Sequence, residues 1–216
     1  MQLIKDNTLD NLHQEVPGNY YTQAIEKNLI QRFWHSRRFK EVGKFLVSIK
    51  AKNILDIGCH GGIFTNKLYQ QFRKSKIHGI DISKEAILFA NRTYSNIQFQ
   101  VSRGEKLPFR KNTFDFVSCF EMLEHVEHPQ SVIKEVSRVL KKNGYFISMV
   151  PTENFIFRVI WSIWSKIGPG RVWKHTHIQK FQNDKLDKLL PRNNFVIIKK
   201  KLFLLGMLLI ILAKRK

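Results

Sequence analysis

Three side chains that can bind a metal ion or move a proton stand close together in the chain. Glu121, Glu124 and His125 occupy positions i, i+3 and i+4, so a helical turn beginning here would place them on one face. Two carboxylates and an imidazole can hold a divalent cation such as Mg²⁺, which would lower the pKa of a bound hydroxyl. His125 can also act alone as a general base, or the cluster can serve only to shape a pocket. His177 is a candidate further ligand, although a surface histidine is its plainer interpretation.

A glycine-rich turn follows an apolar run and an acid earlier in the chain. Residues 54–62 read Ile-Leu-Asp-Ile-Gly-Cys-His-Gly-Gly, and such glycines let a ligand approach the backbone closely where a strand ends. The glycines lack the G-x-G-x-x-G spacing of dinucleotide-binding loops, and the lysine of a P-loop is absent. The turn therefore disfavours a pyrophosphate-bearing cofactor.

A second acid, Asp81, ends the next apolar run. A carboxylate in this place can accept hydrogen bonds from the two hydroxyls of a ribose. Asp81 can instead cap the following helix, but Ser83 is better placed to do so. Together with the glycine turn, Asp81 indicates a ligand that contains a nucleoside.

The elements that must position these residues alternate between short apolar runs and helical patterns from about residue 53 onward. This alternation is typical of a parallel α/β sheet in a single domain. The candidate strands are residues 53–57, 76–80, 97–101, 114–120, 145–150, 195–199 and 203–212. The apolar run at 202–213 is interrupted by Gly206 and is too short to span a membrane, so we interpret it as a buried strand.

Two helical segments lie outside this alternation. Residues 22–49 predict an N-terminal helical extension that is weakest at Gly43. Residues 155–167 predict an almost wholly apolar helix, which must bury most of its circumference. It either packs over the sheet or forms a lid that covers an apolar pocket or enters the membrane interface, where tryptophan is favoured. The extension also carries a basic cluster that is either a solvated face or a phosphate or lipid contact: Arg32, Arg37, Arg38 and Lys40.

The chain of 216 residues is strongly basic, with 37 Lys and Arg against 17 Asp and Glu and a net charge of +20. Residues 151–216 hold 14 of the basic residues and 3 of the acids, so this third is the expected contact region. Such a charge favours a polyanionic partner or an anionic membrane surface.

A hydrophobic content of 43% excludes the disordered and fibrous classes. Cys59 and Cys119 fit no disulfide framework or zinc site, and the N-terminus lacks the pattern of a signal peptide, so we expect a cytoplasmic protein.

Residues 52–151 resemble a class I S-adenosylmethionine-dependent methyltransferase. The family pattern is a strand, D-x-G-x-G-x-G, a second acid, L-P-F, F-D, E-H and R-V-L-K-x-x-G. It is matched by residues 56–62, Asp81, and residues 107–109, 114–115, 124–125 and 138–144. The resemblance implies an α/β, Rossmann-like fold whose seven-stranded, mostly parallel sheet has helices on both faces and an antiparallel C-terminal strand. The single domain 1–216 would comprise a helical extension (1–50), a cofactor-binding core (51–151), a lid or membrane-contact insert (152–182) and a C-terminal helix with strands (183–216).

The same resemblance implies S-adenosyl-L-methionine as the cofactor and names its contacts. The implied contacts are Asp56, Gly58 and Gly62 at the methionine end, Asp81 at the ribose, Ile82 on the adenine, the backbone of Gly104 and Glu105 at the adenine amine, and Glu121 beside the same pocket. Cys59 and His60 of the glycine turn are further candidate contacts. His60 stands where the middle glycine is usual, and Arg103 stands where many relatives have an acid that contacts the adenine amine. The candidate catalytic residues, from the cluster described first, are His125, Glu121 and Glu124.

Residues 120–126, followed by Pro129, Thr176-His177 and Lys180-Phe181, resemble the quinone-pathway O-methyltransferases in particular. Those relatives act on polyprenyl phenols and carry an apolar insert after the fifth strand that meets the membrane, where residues 155–167 stand here. We therefore expect O-methylation of a lipophilic small molecule, a quinone-precursor phenol or other lipid. The protein would be peripheral at the inner face of an anionic membrane.

Two other functions are left open by these residues. A metal-dependent RNA ribose 2′-O-methyltransferase would share the Glu-x-x-Glu-His cluster with a later histidine, and a net charge of +20 suits phosphate binding. A non-catalytic cofactor-binding protein is suggested by His60 and Arg103.

Overall fold

The structure is a computed structural model that describes residues 16–167, 178–181 and 185–216. Seven strands form one sheet: β1 (Asn53–Ile57), β2 (Lys76–Asp81), β3 (Gln98–Val101), β4 (Phe114–Phe120), β5 (Leu140–Pro151), β6 (Phe195–Phe203) and β7 (Leu208–Arg215). The helices are α1 (Tyr20–Lys27), α2 (Leu29–Leu46), α3 (Ile63–Gln71), α4 (Lys84–Thr93), α5 (Pro129–Val139), α6 (Phe155–Ile167) and α7 (Lys185–Leu189). One 3₁₀ turn covers Leu123–His125.

The strands lie in the order β3-β2-β1-β4-β5-β7-β6. Strands β1 to β5 pair in parallel, whereas β7 is antiparallel to both β5 and β6. The predicted Rossmann-like sheet with an antiparallel C-terminal strand is therefore confirmed. The strand order reverses between β1 and β4, and the carboxyl ends of strands at such a point flank a crevice.

Apolar side chains cover both faces of the sheet. Successive residues of a strand point to opposite faces, so Leu55 packs in one core with α5 and Ile54 packs in the other with α2 and α3. Both side chains are fully buried. Strands covered by helices on both faces read as continuous apolar runs, which is why these strands were predictable.

The N-terminal extension predicted over residues 22–49 forms two helices. The break is at Asn28, which has extended backbone angles, and its side-chain oxygen accepts hydrogen bonds from the Ile30 and Gln31 amides at 2.9 and 3.1 Å. Asn28 thus caps the second helix, as asparagine commonly does. Gly43, the expected weak point, lies inside α2.

The predicted strand over residues 203–212 is also wrong in its bounds. Leu204, Leu205 and Gly206 all have positive φ, and the Met207 amide donates to the Leu204 carbonyl at 3.1 Å. These residues form a tight turn, so β6 continues to Phe203 and a separate β7 begins at Leu208. The turn lies inside the apolar run at 202–213, so the hydrophobic pattern alone did not reveal it.

Helix α6 forms as predicted, but it does not bury most of its circumference. Five of its apolar side chains are exposed to solvent: Phe155, Ile156, Val159, Ile160 and Ile163. Phe157 is buried, and it stacks on Trp161 with ring centroids 5.5 Å apart. None of the helices in the described ranges is long and apolar enough to cross a membrane.

Candidate active site

A cavity of about 490 Å³ opens at the carboxyl ends of β1, β2 and β4. Nine of the ten predicted cofactor contacts lie in its wall: Asp56, Gly58, Cys59, His60, Asp81, Ile82, Gly104, Glu105 and Glu121. Arg103 and His125 line it too. Residues from four separate segments of the sequence therefore meet at one site.

The glycine turn after β1 has the left-handed backbone that its glycines allow. Gly58, His60 and Gly62 have φ values of 75°, 45° and 82°. A Cβ atom on Gly58 would lie 2.6 Å from the Met122 Cγ, so a side chain there would collide with Met122, which also lines the cavity. His60 adopts a conformation that glycine takes at little cost and that other residues rarely adopt.

Gly62, the tenth predicted contact, is not in the cavity wall. It precedes α3 and packs behind the turn, where a Cβ atom would lie 2.8 Å from the Phe99 Cζ and 3.0 Å from the Tyr94 Cδ2. Its role in this structure is to let the chain turn into α3 against two aromatic rings.

The Asp81 carboxylate is held at the cavity wall by two backbone amides. The His60 N–H donates to Oδ2 at 2.8 Å, and the Ser83 N–H donates to Oδ1 at 2.9 Å. Ser83 itself caps α4 by accepting from the Ala86 amide at 3.2 Å. Since Ser83 is the cap, Asp81 is available for a ligand, and its carboxylate also fixes the glycine turn.

Asp56, near the end of β1, links the strand before the glycine turn to its neighbouring elements by two hydrogen bonds. Thr65 donates to one carboxylate oxygen at 2.6 Å and Ser118 donates to the other at 2.7 Å. Burial raises the pKa of Asp56 to about 6, although the hydrogen bonds from Thr65 and Ser118 act in the opposite direction. The side chain is 2% exposed, so it anchors β1 to β4 and to α3.

Glu121, Glu124 and His125 do not share one face, contrary to the prediction. Glu121 has a left-handed φ of 49°, and the 3₁₀ turn begins only at Leu123. Glu121 and His125 line the cavity, but Glu124 is absent from its wall and is 1% exposed. Among the described residues its Oε2 atom has no hydrogen-bond partner, and burial raises the pKa of Glu124 well above the usual value.

The predicted divalent-cation site is therefore not supported. Across residues 16–167, 178–181 and 185–216, no three His, Cys, Asp or Glu side chains are grouped closely enough to hold a metal ion. His177 lies outside the described residues. Glu121, the one carboxylate of the cluster at the cavity, is already paired, because the Arg38 Nε lies 2.7 Å from its Oε1.

Arg38 is the main site residue that the sequence interpretation missed. It lines the cavity from α2, is 5% exposed, and is not part of a solvated basic face. Its Nη1 atom lies 2.9 Å from the Nδ1 of His35, whose pKa is lowered to about 2 by burial and by Arg38, so the imidazole is neutral and accepts. A signal existed in the sequence. Val42 and Phe45 lie on the buried face of the helix, and Arg38 and His35, at 4 and 7 positions before Val42, fall on the same face by helical spacing.

Tyr21 also lines the cavity, from α1. Its ring makes edge contacts with His35 and His60 at centroid distances of 5.3 and 5.1 Å. Burial raises the pKa of its hydroxyl, with the nearby Glu121 and Asp81 acting in the same direction and Arg38 against it. The two N-terminal helices thus form one wall of the site.

These residues fit S-adenosylmethionine. Asp81 has an oriented carboxylate that can accept from a ribose, Ile82 offers an apolar contact beside it, and Gly58 brings bare backbone to the cavity wall. The lining of the cavity is compatible with this cofactor, and each individual contact stays a prediction.

Comparison with known proteins points to one family. A family model described as a methyltransferase domain matches residues 27–200. The ubiquinone biosynthesis O-methyltransferase of Coxiella burnetii is 31% identical over 113 residues, which are 50% of this chain and 47% of that protein. The chain thus spans about half the length of the curated relatives it matches.

Solved structures agree on the fold. The PH0226 protein from Pyrococcus horikoshii superposes with a TM-score of 0.70 at 20% identity, over 88% of this chain and 93% of that one. An S-adenosylmethionine-dependent methyltransferase from Mesorhizobium loti gives 0.67 at 17% identity, over 82% and 96%. With the family match covering most of the chain, this protein belongs to the class I S-adenosylmethionine-dependent methyltransferases.

Proposed function

We propose that this protein uses S-adenosylmethionine to O-methylate a lipophilic phenol or related lipid at an anionic membrane surface. The observation that carries the proposal is a shared location: the cavity and the exposed apolar residues of three elements lie at the same edge of the sheet. A water-soluble acceptor would not require that apolar surface beside the site. The name of the Coxiella burnetii relative, a ubiquinone biosynthesis O-methyltransferase, supports the same acceptor class.

The cofactor end of the cavity is built from β1, β2 and their loops. When bound, S-adenosylmethionine supplies an electrophilic methyl group on a sulfonium. Asp81 would accept hydrogen bonds from the ribose hydroxyls while the His60 and Ser83 amides hold its carboxylate still. Ile82 would contact the adenine, and the backbone of Gly104 and Glu105 would face its amine.

The acceptor end lies at the carboxyl end of β4. Glu121 and His125 line it together with apolar neighbours, among them Phe120, Met122 and Val126. These side chains would hold an aromatic ring, and His125 would remove the hydroxyl proton as the oxygen attacks. Alignment of the acceptor oxygen in line with the methyl group is the main demand on the protein.

Three separate elements place apolar side chains in solvent near this edge. Phe155 at the start of α6 is 78% exposed, and Leu205 at the tip of the β6–β7 hairpin is 75% exposed. Leu29, Ile30 and Phe33 on the first turns of α2 are exposed as well. We call these residues, with Ile156, Val159, Ile160 and Ile163 of α6, the apolar rim.

Pairing and hydrogen bonds place the first two elements together. Pro151, the last residue of β5, pairs with Leu208, so the hairpin tip and the start of α6 leave the same end of the sheet. The Asn154 side chain donates to the Leu205 carbonyl at 3.1 Å, and the Thr152 hydroxyl donates to the Gly206 carbonyl at 2.6 Å. The tip and the helix therefore form one continuous surface.

Helix α2 begins beyond the same edge of the sheet and runs from there toward the middle of the sheet. Arg38 meets Glu121 at the carboxyl end of β4, whereas Phe45 lies under Lys199 in the middle of β6. The turns before Arg38 thus project beyond the edge, and they carry Leu29, Ile30 and Phe33. Exposed Arg158 and Lys166 on α6 add positive charge, and each basic residue near an anionic surface contributes about 1 kcal/mol.

The first experiment is isothermal titration of the protein with S-adenosylmethionine and S-adenosylhomocysteine. Binding should be lost in Asp81→Ala, which removes the ribose acceptor. Wild type that binds neither compound would contradict the proposal.

The membrane part is tested by flotation with phosphatidylglycerol vesicles, with phosphatidylcholine vesicles for comparison. Phe155→Ser with Leu205→Ser, and separately Trp161→Ser with Trp164→Ser, should abolish flotation and leave S-adenosylhomocysteine binding unchanged. Leu88→Ser is the matched control, because Leu88 is an exposed leucine on α4, outside the apolar rim. Equal flotation of all variants would refute the rim as the contact surface.

The acceptor is tested by transfer of a radioactive methyl group to a prenylated catechol in anionic vesicles. A structured RNA is the competing acceptor, and its binding should fall steeply with salt if phosphates dominate recognition. The RNA interpretation rests on the three-residue cluster together with a later histidine and the net charge, and the cavity contains Glu121 and His125 without Glu124. Methylation of RNA with none of the catechol would overturn the lipid proposal.

A further inference from the structure

Arg38 stands beside Glu121 where a cation bound by that carboxylate would stand. We propose that its guanidinium is the resident cation of the acceptor end, so that this site binds the acceptor oxygen through Arg38 without a divalent metal. The ligand class is an acidic hydroxyl, such as a phenol, that carries negative charge as it loses its proton. The acceptor class rests on the proposed function, whereas the substitution of arginine for a metal ion does not.

The Arg38–Glu121 pair is built into the wall. The Nε–Oε1 distance is 2.7 Å, and the two side chains are 6% and 21% exposed. On its other side the guanidinium contacts neutral His35 at 2.9 Å, and its Cζ atom lies 5.8 Å from the centre of the Phe64 ring. An incoming metal ion would have to displace a buried guanidinium that Glu121, His35 and Phe64 all hold.

The remaining donors of Arg38 are suited to an oxygen ligand. A guanidinium has five N–H groups in a fixed plane; its Nε contacts Glu121 and its Nη1 contacts His35. The guanidinium is a covalent part of the chain, so the site keeps its cation without metal exchange. Because Arg38, Glu121 and His125 line the same cavity, an acceptor oxygen there meets a hydrogen-bond donor and a base together.

The positions of Glu121, Glu124 and His125 explain why Arg38, and not a metal ion, would be the cation here. The Glu124 side chain lies in the core, so Glu121 and His125 are the cavity-lining members of the predicted ligand set. One carboxylate, already paired, and one imidazole are a weak set for Mg²⁺, which prefers several oxygen ligands.

The metal question is tested by titrating Mn²⁺ into the complex with S-adenosylhomocysteine and following free Mn²⁺ by electron paramagnetic resonance. Wild type and Glu121→Gln should give the same curve, because Glu121 binds Arg38 and not the ion. A Mn²⁺ site in wild type that Glu121→Gln removes would overturn the proposal. This measurement needs no acceptor, so it decides even if the prenylated catechol is not a substrate.

The role of Arg38 is tested by methyl transfer to the prenylated catechol in the presence of EDTA. Wild type should keep its full rate, and Arg38→Ala should lower kcat about 100-fold with unchanged S-adenosylhomocysteine affinity. Ethylguanidinium should restore part of the lost rate, which a purely structural role would not allow, and Arg38→Lys should fall between the two. Arg37→Ala is the matched control, since Arg37 is 44% exposed and pairs with Glu41 instead. Loss of activity in EDTA that Mg²⁺ restores, or full activity in Arg38→Ala, would contradict the proposal.

Discussion

The Nζ of Lys201 on β6 lies 2.7 Å from the Oε2 of Glu41 on α2, although the two residues are 160 positions apart in the chain. Glu41 is fully buried and also accepts from Lys44 at 2.9 Å. The hydrogen bonds from Lys201 and then Lys44 lower the pKa of Glu41 to about 2. Since Arg38 lies one turn earlier, this contact fixes the helix that brings Arg38 to the site.

Lys201→Met should therefore lower the free energy of unfolding by about 1–2 kcal/mol, because it removes a charged hydrogen bond to a buried carboxylate. Lys200→Met is the matched control: Lys200 pairs with Asp187 at the surface, where such a pair contributes at most about 1 kcal/mol. Urea unfolding at neutral pH measures both. Equal losses in the two variants would show that Glu41 does not depend on Lys201.

The low pKa of His35 predicts a loss of stability in mild acid. The unfolded chain takes up a proton as the pH falls through 6.5, whereas folded His35 stays neutral down to about 2. Stability should thus decrease from pH 6.5 downward, by at most about 2 kcal/mol at pH 5 for this one group.

His35→Gln keeps a hydrogen-bond acceptor for Arg38 and removes the titration, so its stability should change less between pH 7.5 and 5. The pKa of His78 is lowered by burial and by Lys76, so His78 contributes in the same direction. His78→Gln is therefore the comparison for urea unfolding at the two pH values. An unchanged slope in His35→Gln would contradict the buried neutral imidazole.

The cofactor end of the site could be predicted because its signals are local. The turn at Gly58 follows directly from a buried strand, and Asp81 ends the neighbouring strand, so parallel strand order alone brings the two together. Ser83 could likewise be identified as the cap of α4 from its position. In each case the residue that acts and the element that places it are adjacent in sequence.

The acceptor end could not be predicted from spacing. Glu124 is at i+3 from Glu121, which suggests a shared face, but the left-handed φ at Glu121 turns the chain before the 3₁₀ helix starts. Arg38 lies 83 positions from its partner and looked like part of a basic surface. The orientation of Glu124 and the pairing of Arg38 both depend on tertiary packing, which cannot be read from the spacing of residues in the sequence.

His60 stands at a left-handed position that favours glycine, so two substitutions there should differ in a defined way. Both His60→Ala and His60→Gly remove the ring that contacts Tyr21. Only alanine retains the steric cost of a φ of 45°, which is about 1 kcal/mol or more for a residue with a Cβ atom. His60→Gly should therefore unfold at higher urea concentration than His60→Ala, and the reverse order would show that the turn is not strained.

Gly61 holds the N-terminal wall of the cavity in place by being small. A Cβ atom there would lie 2.0 Å from the Gly18 carbonyl oxygen. This oxygen belongs to the backbone, so it cannot move aside by a side-chain rotation. Gly61→Ala should push the segment at Gly18 outward, cost about 2 kcal/mol or more and make α1 susceptible to thermolysin. Gly43→Ala is the opposite case, since its Cβ atom would meet nothing within 4 Å and alanine favours the helix by about 1 kcal/mol. If Gly61→Ala were as stable and as protease-resistant as Gly43→Ala, α1 would not pack over the glycine turn, and the wall that Tyr21 forms would be open.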